Sequence, residues 1–217
     1  MFQSVSSVIF DMDGVIIDSE PISQKVVHEM AMARGVDLPD QIHRDYVGAK
    51  TSTKWAFIVE SYGWKDDVMR LTAESDDRYL ELIKTSELNP IDGVLELMEA
   101  IYQMNKKMIV ASSASRYNIR LVLDKFGLSN YFDQFVSSED VKHAKPNPDI
   151  FLKAAQQLKS RPDECLVIED SKNGVLAAKS AGMQVIGYQN HRSGNQDLEA
   201  ADHVVNHLDE VIALIQD

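Results

Sequence analysis

From about residue 90 to the C-terminus, short apolar runs of strand length alternate with segments of helical periodicity. The runs fall at 108–111, 165–168 and 185–188, with weaker ones at 135–136 and 203–205. The helical patterns occupy 94–104, 119–126, 148–158, 174–181 and 208–215. A further apolar run, 5–10, lies near the start of the chain and stops abruptly at Asp11. A strand that is apolar throughout is buried on both faces, and strands joined through helices run parallel. The alternation therefore predicts an α/β fold, a parallel sheet with helices on both faces.

One segment breaks the pattern. Helical spacing recurs at 21–34, 51–62 and 66–85, punctuated by Gly35, Pro39, Gly48 and Gly63, with no strand-like run among them. The simplest organisation is an α/β core of residues 1–18 and 88–217, with an all-helical domain of residues 19–87 inserted after the first strand. The connections fall at 14–19 and 88–93, where Asn89-Pro90-Ile91-Asp92-Gly93 has turn chemistry.

Acidic residues outnumber basic ones 34 to 22, a net charge of −12. Such a surface repels nucleic acid and anionic membrane, although a local site can still hold a small anion. Cys165 is the single cysteine, which excludes an intrachain disulfide and a cysteine-based zinc cluster. The apolar stretches fall far short of the ~20 residues of a membrane span, and no basic stretch followed by a long apolar run opens the chain. The expectation is a cytoplasmic monomer without nucleic-acid or membrane partners.

In an open α/β sheet, ligands bind beyond the carboxyl ends of the strands. Asp11-Met12-Asp13-Gly14 follows the first strand, Ser112-Ser113-Ala114-Ser115 the second apolar run, and Glu169-Asp170-Ser171 the run at 165–168. Lys145 lies between the last two, in Ala144-Lys145-Pro146-Asn147-Pro148. Four carboxylates, a lysine and several hydroxyls would meet at one rim. Clustered hard oxygen ligands suit Mg²⁺. A carboxylate can attack a phosphoryl centre, and a second one two residues on can carry a proton to the leaving oxygen. A lysine and hydroxyls can hold the phosphoryl oxygens.

These residues resemble the four ordered motifs of the haloacid dehalogenase superfamily: Asp11-Met12-Asp13-Gly14-Val15, Ser113 after Ile109-Val110-Ala111, Lys145 before Pro146, and Glu169-Asp170. The resemblance spans nearly the whole chain and implies a Rossmann-like core, with 19–87 as a small helical cap that closes over the site. It implies Asp11 as nucleophile and Asp13 as general acid and base. Ser113 and Ala114 would contact the phosphoryl group, which Lys145 would steady. Asp11, the main-chain carbonyl of Asp13, Glu169 and Asp170 would hold Mg²⁺. An acid at Asp13 points away from the dehalogenase branch, whose leaving halide needs no proton, and from the phosphonate-cleaving branch, which also lacks an aspartate there. The implied activity is Mg²⁺-dependent hydrolysis of a small phosphorylated metabolite through an aspartyl-phosphate.

The alternative is a phosphomutase of the β-phosphoglucomutase type. Those mutases carry a histidine where this chain has Ser23 and an arginine where it has Thr51, which weighs against that reading. A phosphoacceptor receiver module shares the chemistry but is about 120 residues long and is phosphorylated after its third strand. Lys50, Thr51, Lys54 and Trp55 are the cap positions from which specificity is expected. His143 reads as an exposed loop residue and Cys165 as a buried core residue. Gly174–Ser180 departs from phosphate-loop spacing and reads as a helix packed on the sheet.

Overall fold

The computed structural model describes residues 2, 5–132, 134–194 and 196–216. Its strands are β1 (Ser7–Phe10), β2 (Lys107–Ala111), β3 (Phe135–Val136), β4 (Cys165–Glu169), β5 (Gln184–Tyr188) and β6 (His203–Val205). They form one parallel sheet in the order β3-β2-β1-β4-β5-β6. The helices are α1 (Glu20–Met32), α2 (Asp40–Asp45), α3 (Thr51–Ser61), α4 (Val68–Thr85), α5 (Val94–Gln103), α6 (Arg116–Lys125), α7 (Asp149–Leu158), α8 (Lys172–Ser180) and α9 (Glu210–Ile215). Among the described residues, no helix is long and apolar enough to cross a membrane.

β1 is central, with Val8 in register with Met108 on one side and Leu166 on the other. Successive side chains of a strand point to opposite faces, and the two cores divide accordingly. Val8, Phe10, Val110, Leu166 and Ile168 pack with α5, α6 and α9, whereas Ile9, Ile109, Ala111 and Val167 pack with α7 and α8. Both layers are apolar because both faces of the sheet are covered.

Helices α1–α4 form the insertion after β1. They enclose an apolar cluster of Val26, Val27, Met30 and Ala31 from α1, Trp55 and Ile58 from α3, Leu71 from α4, and Leu38. The spacing of these residues is helical, so each helix turns one stripe inward. The outgoing and returning connections lie side by side: Ile17 bridges to Pro90, and Ile91 N–H donates to the Ile16 carbonyl at 2.9 Å.

Two boundaries and one element show where the sequence expectation departs from the structure. β1 begins at Ser7 rather than at residue 5. α4 begins at Val68 because the Asp67 side chain caps it, accepting from Arg70 N–H at 2.8 Å. The short α2 was not expected; its six residues include one aliphatic side chain, Ile42, too little for a periodic signal.

Candidate active site

β1 and β4 are neighbours, and Asp11 N–H extends their ladder by donating to the Ile168 carbonyl at 3.0 Å. Asp11 thus leaves the sheet beside Glu169 and Asp170. Each of these three buried carboxylates offers an oxygen, and the three atoms lie within 4.8 Å of one another. Lys145 enters from the loop preceding α7. Its Nζ donates to Asp11 Oδ1 at 2.7 Å and to Glu169 Oε1 at 2.6 Å, and lies 5.0 Å from the Phe151 ring centroid.

The second oxygen of Glu169 accepts from the Ser171 N–H at 2.8 Å and from its hydroxyl at 2.9 Å. Asp170 Oδ2 accepts from the Ser193 hydroxyl, while Asp170 Oδ1 is buried without a partner among the described residues. Gly14 has φ +83°, and a Cβ there would meet Asp170 Oδ2 at 1.9 Å, so the turn after β1 can close on β4 only with glycine.

Burial pushes the Asp11 carboxyl up, to about 8, against the pull of Lys145. Burial, together with Glu169 and Asp11, raises Asp170 well above the usual carboxylate range. Burial also opposes the Lys145 charge, but Asp11 and Glu169 outweigh it and hold this lysine above its ordinary value. Three carboxylates around one ammonium leave the pocket short of positive charge. Together with the orphaned Asp170 Oδ1, that donor set fits a hard divalent cation.

Asp13 stands apart from the three. Its Oδ1 accepts from the Ser19 hydroxyl and, at 3.0 Å, from the Tyr79 hydroxyl of α4; Ser112 Oγ approaches Oδ2 at 3.4 Å. Burial and the nearby Asp13 charge raise the Tyr79 phenol well above its usual range, so it stays protonated and able to donate. Asp11, Asp13, Lys145, Ser112, Ser113 and Ala114 all line one cavity of about 160 Å³, roofed by residues of α1, α3 and α4.

Ser113 and Ser112 divide the hydroxyl chemistry. Ser113 Oγ donates to the Gly48 carbonyl at 3.0 Å, whereas Ser112 Oγ faces Asp13 and accepts from Ala114 N–H at 3.0 Å. Gly48 has φ +73°, and a Cβ there would meet Ser171 Oγ at 2.3 Å, so the loop before α3 sits directly on the strand-end residues.

Of the expected cap positions, Lys50, Thr51 and Lys54 line the cavity. Trp55 does not; it is fully buried in the apolar cluster of the insertion. His143 is exposed and pairs with Asp149, away from the carboxylates, and Cys165 is buried in β4. Sequence reasoning missed Tyr79, Ser193 and Glu20. Tyr79 and Ser193 reach the site from distant elements, and no local pattern marks them; Glu20 adjoins the N-cap of α1, where an acidic residue is commonplace.

The sequence pattern of haloacid dehalogenase-like hydrolases matches residues 8–188. The chain belongs to the haloacid dehalogenase-like hydrolase family. Within it, the phosphorylated carbohydrates phosphatase of Thermotoga maritima is 33% identical over 186 residues, 84% of this chain and 84% of that protein. The fructose-1-phosphate phosphatase of Escherichia coli is 30% identical over 188 residues, 86% of this chain and 97% of that one. The crystal structure of a β-phosphoglucomutase from Clostridium difficile superposes with a TM-score of 0.84 at 28% identity, covering 95% of this chain and 93% of that one. This haloacid dehalogenase-like hydrolase thus has relatives named as phosphatases and one named as a β-phosphoglucomutase.

Proposed function

We propose that this hydrolase is a Mg²⁺-dependent phosphatase of small phosphate monoesters, sugar phosphates among them, acting through a phosphoryl group carried on Asp11. The observation that carries the reading is the Lys145-anchored Asp11 facing the same cavity as Asp13. Asp11 attacks phosphorus as the ester P–O bond breaks, and Asp13 gives its proton to the departing alkoxide. Water then attacks the aspartyl-phosphate, returning a proton to Asp13 and releasing phosphate. Ser19 and Tyr79 fix the orientation of Asp13 for both transfers.

Asp11, the Asp13 main-chain carbonyl and Asp170 would hold Mg²⁺, with Glu169 completing or bracing that set. When bound, the ion supplies positive charge that lowers the cost of bringing a phosphate beside four carboxylates. Lys145 neutralises part of the same charge and keeps Asp11 turned into the cavity. The helical insertion acts as the cap, a unit of residues 19–87 whose α3 and α4 residues form the wall facing the alcohol part of the substrate.

The experiment is phosphate release from p-nitrophenyl phosphate and a panel of phosphorylated metabolites, with and without Mg²⁺. Turnover is expected only with the ion. No phosphate release from any ester would remove the reading.

A further inference from the structure

Among the described residues, two charged side chains in the cavity wall are left without hydrogen-bond or ion-pair partners. Glu20, in the first turn of α1, lines the cavity, and its Oε1 is buried without a hydrogen bond. Lys54 of α3 lines the same cavity at 5% exposure and has no ion pair within 4.0 Å among the described residues. The two are nonetheless close enough that Lys54 opposes in part the burial that raises the Glu20 carboxyl. A carboxylate and an ammonium that face one cavity but stand too far apart to touch leave an acceptor and a donor for something between them.

The neighbourhood narrows what fits there. His43 is pushed down to about 4 by burial and by the charge of Lys54, so at neutral pH it is uncharged. The ammonium of Lys50 donates to the Ser138 carbonyl at 3.1 Å. Asp13, Glu20 and Asp76 all line the cavity, so a second anionic group on the substrate would face three carboxylates, with Lys54 a cavity lysine that has no ion pair among the described residues. A hydroxyl suits the gap better, because it donates to a carboxylate and accepts from an ammonium at once. The remaining wall of Ser23, Thr51, Ser52, Thr72 and Ser75 is also hydroxylic.

We propose that Glu20 and Lys54 are specificity-determining residues that hold one hydroxyl of the substrate's alcohol portion between them, selecting polyol monophosphates over esters bearing a second anion. This rests on the phosphatase reading. It assigns to the pair a role separate from the chemistry at Asp11 and Asp13.

The test compares wild type with Lys54→Met and Glu20→Gln on a hexose monophosphate, its monodeoxy analogues, phosphoglycolate, a hexose bisphosphate and p-nitrophenyl phosphate, all with Mg²⁺. Loss of a hydrogen bond to a charged group predicts that Lys54→Met lowers kcat/KM on the hexose monophosphate on the order of 10- to 100-fold. Its loss on p-nitrophenyl phosphate should be at least about tenfold smaller, and that substrate also reports that the variant has folded. One deoxy analogue should reproduce the loss on wild type, and Lys54→Met should then cost nothing further, because variant and analogue remove the same contact. Glu20→Gln should single out the same analogue.

Equal losses on the two ester classes, or additive losses with every deoxy analogue, would overturn the pairing. So would a wild-type preference for phosphoglycolate or the bisphosphate. A wild type inactive on every ester overturns the phosphatase reading and this one with it, whereas turnover of p-nitrophenyl phosphate without the discrimination overturns this one alone.

Discussion

A Cβ on Gly174 would stand 1.7 Å from Oε1 of Glu169, because the first turn of α8 packs directly onto that carboxylate. The same carboxylate is gripped by Lys145 on one oxygen and by Ser171 on the other, and Ser171 Oγ in turn accepts from the Gly174 N–H at 3.0 Å. One glycine therefore lets a helix, a lysine and two site carboxylates share a space too small for a methyl group.

Gly174→Ala separates this constraint from helix propensity. Propensity alone favours alanine by about 1 kcal/mol inside a helix. Steric displacement of a buried, bonded carboxylate costs about 1–3 kcal/mol. Thermal denaturation should show a lower Tm, and phosphatase activity should fall by at least about tenfold as Glu169 and Lys145 move. A raised Tm with activity retained would contradict the packing.

Asp11→Asn preserves shape but removes the charge that attacks phosphorus. Turnover should fall by at least about a thousandfold, with circular dichroism and Tm close to wild type. Burial disfavours the charged Asp11 carboxylate, so the neutral amide removes an electrostatic cost even as it disables the site. Activity like that of wild type in this variant would sink the proposed mechanism.

Removal of the ion tests the cluster as a whole. EDTA should abolish turnover and Mg²⁺ restore it, while Ca²⁺, with its larger and looser coordination, should inhibit. Asp170→Ala should raise the Mg²⁺ requirement more than Glu169→Gln. Asp170 keeps an unpartnered oxygen, whereas both oxygens of Glu169 are already bonded. The reverse order, or full activity after verified metal removal, would contradict the assignment of ligands.

Much of this site was legible because the chemistry sits where strands end. Each of β1, β2 and β4 is an apolar run cut off by polar residues, and a parallel sheet gathers those cuts at one rim. Side chains that act through a tertiary contact left no such mark. Tyr79 occupies an ordinary inward-facing position on α4, and its hydroxyl meets Asp13 only because α4 packs over the strand ends. Trp55 failed as a cavity residue for a related reason: on α3 it shares the buried stripe with Ile58, while Lys54, one residue earlier, turns toward the cavity.

His43 gives the insertion a pH-dependent stability. It is buried with both ring nitrogens unpartnered among the described residues, and burial with the nearby Lys54 lowers its pKa from 6.5 to about 4. Above pH 6.5 both folded and unfolded chains hold it neutral, and its contribution is intact. As the pH falls from 6.5 toward 4, the unfolded chain takes up a proton that the folded one refuses, so stability is lost through that window. Urea midpoints measured between pH 7 and 4.5 should fall less steeply for His43→Leu than for wild type. Parallel slopes would show that His43 is not the group responsible.

The last prediction separates hydrolysis from mutase chemistry. Both begin with the same phosphoryl group on Asp11 and differ in what accepts it. A mutase must keep water out and clamp a second phosphate, which calls for cations on the cap. Ser23 and Thr51 line the cavity at the two positions where such support is expected, and both are neutral hydroxyls; Lys50 donates to the Ser138 carbonyl. Lys54 shares its surroundings with Glu20 and Asp76, whose carboxylates oppose a distal phosphate. Rapid-quench measurements should therefore show the phosphoenzyme breaking down to inorganic phosphate without any sugar-phosphate acceptor. Glucose 1,6-bisphosphate should not stimulate conversion of β-glucose 1-phosphate to glucose 6-phosphate. Fast isomerisation with little free phosphate would mean that Lys50 or Lys54 clamps the distal phosphate after all, and the hydrolase reading would give way to the mutase one.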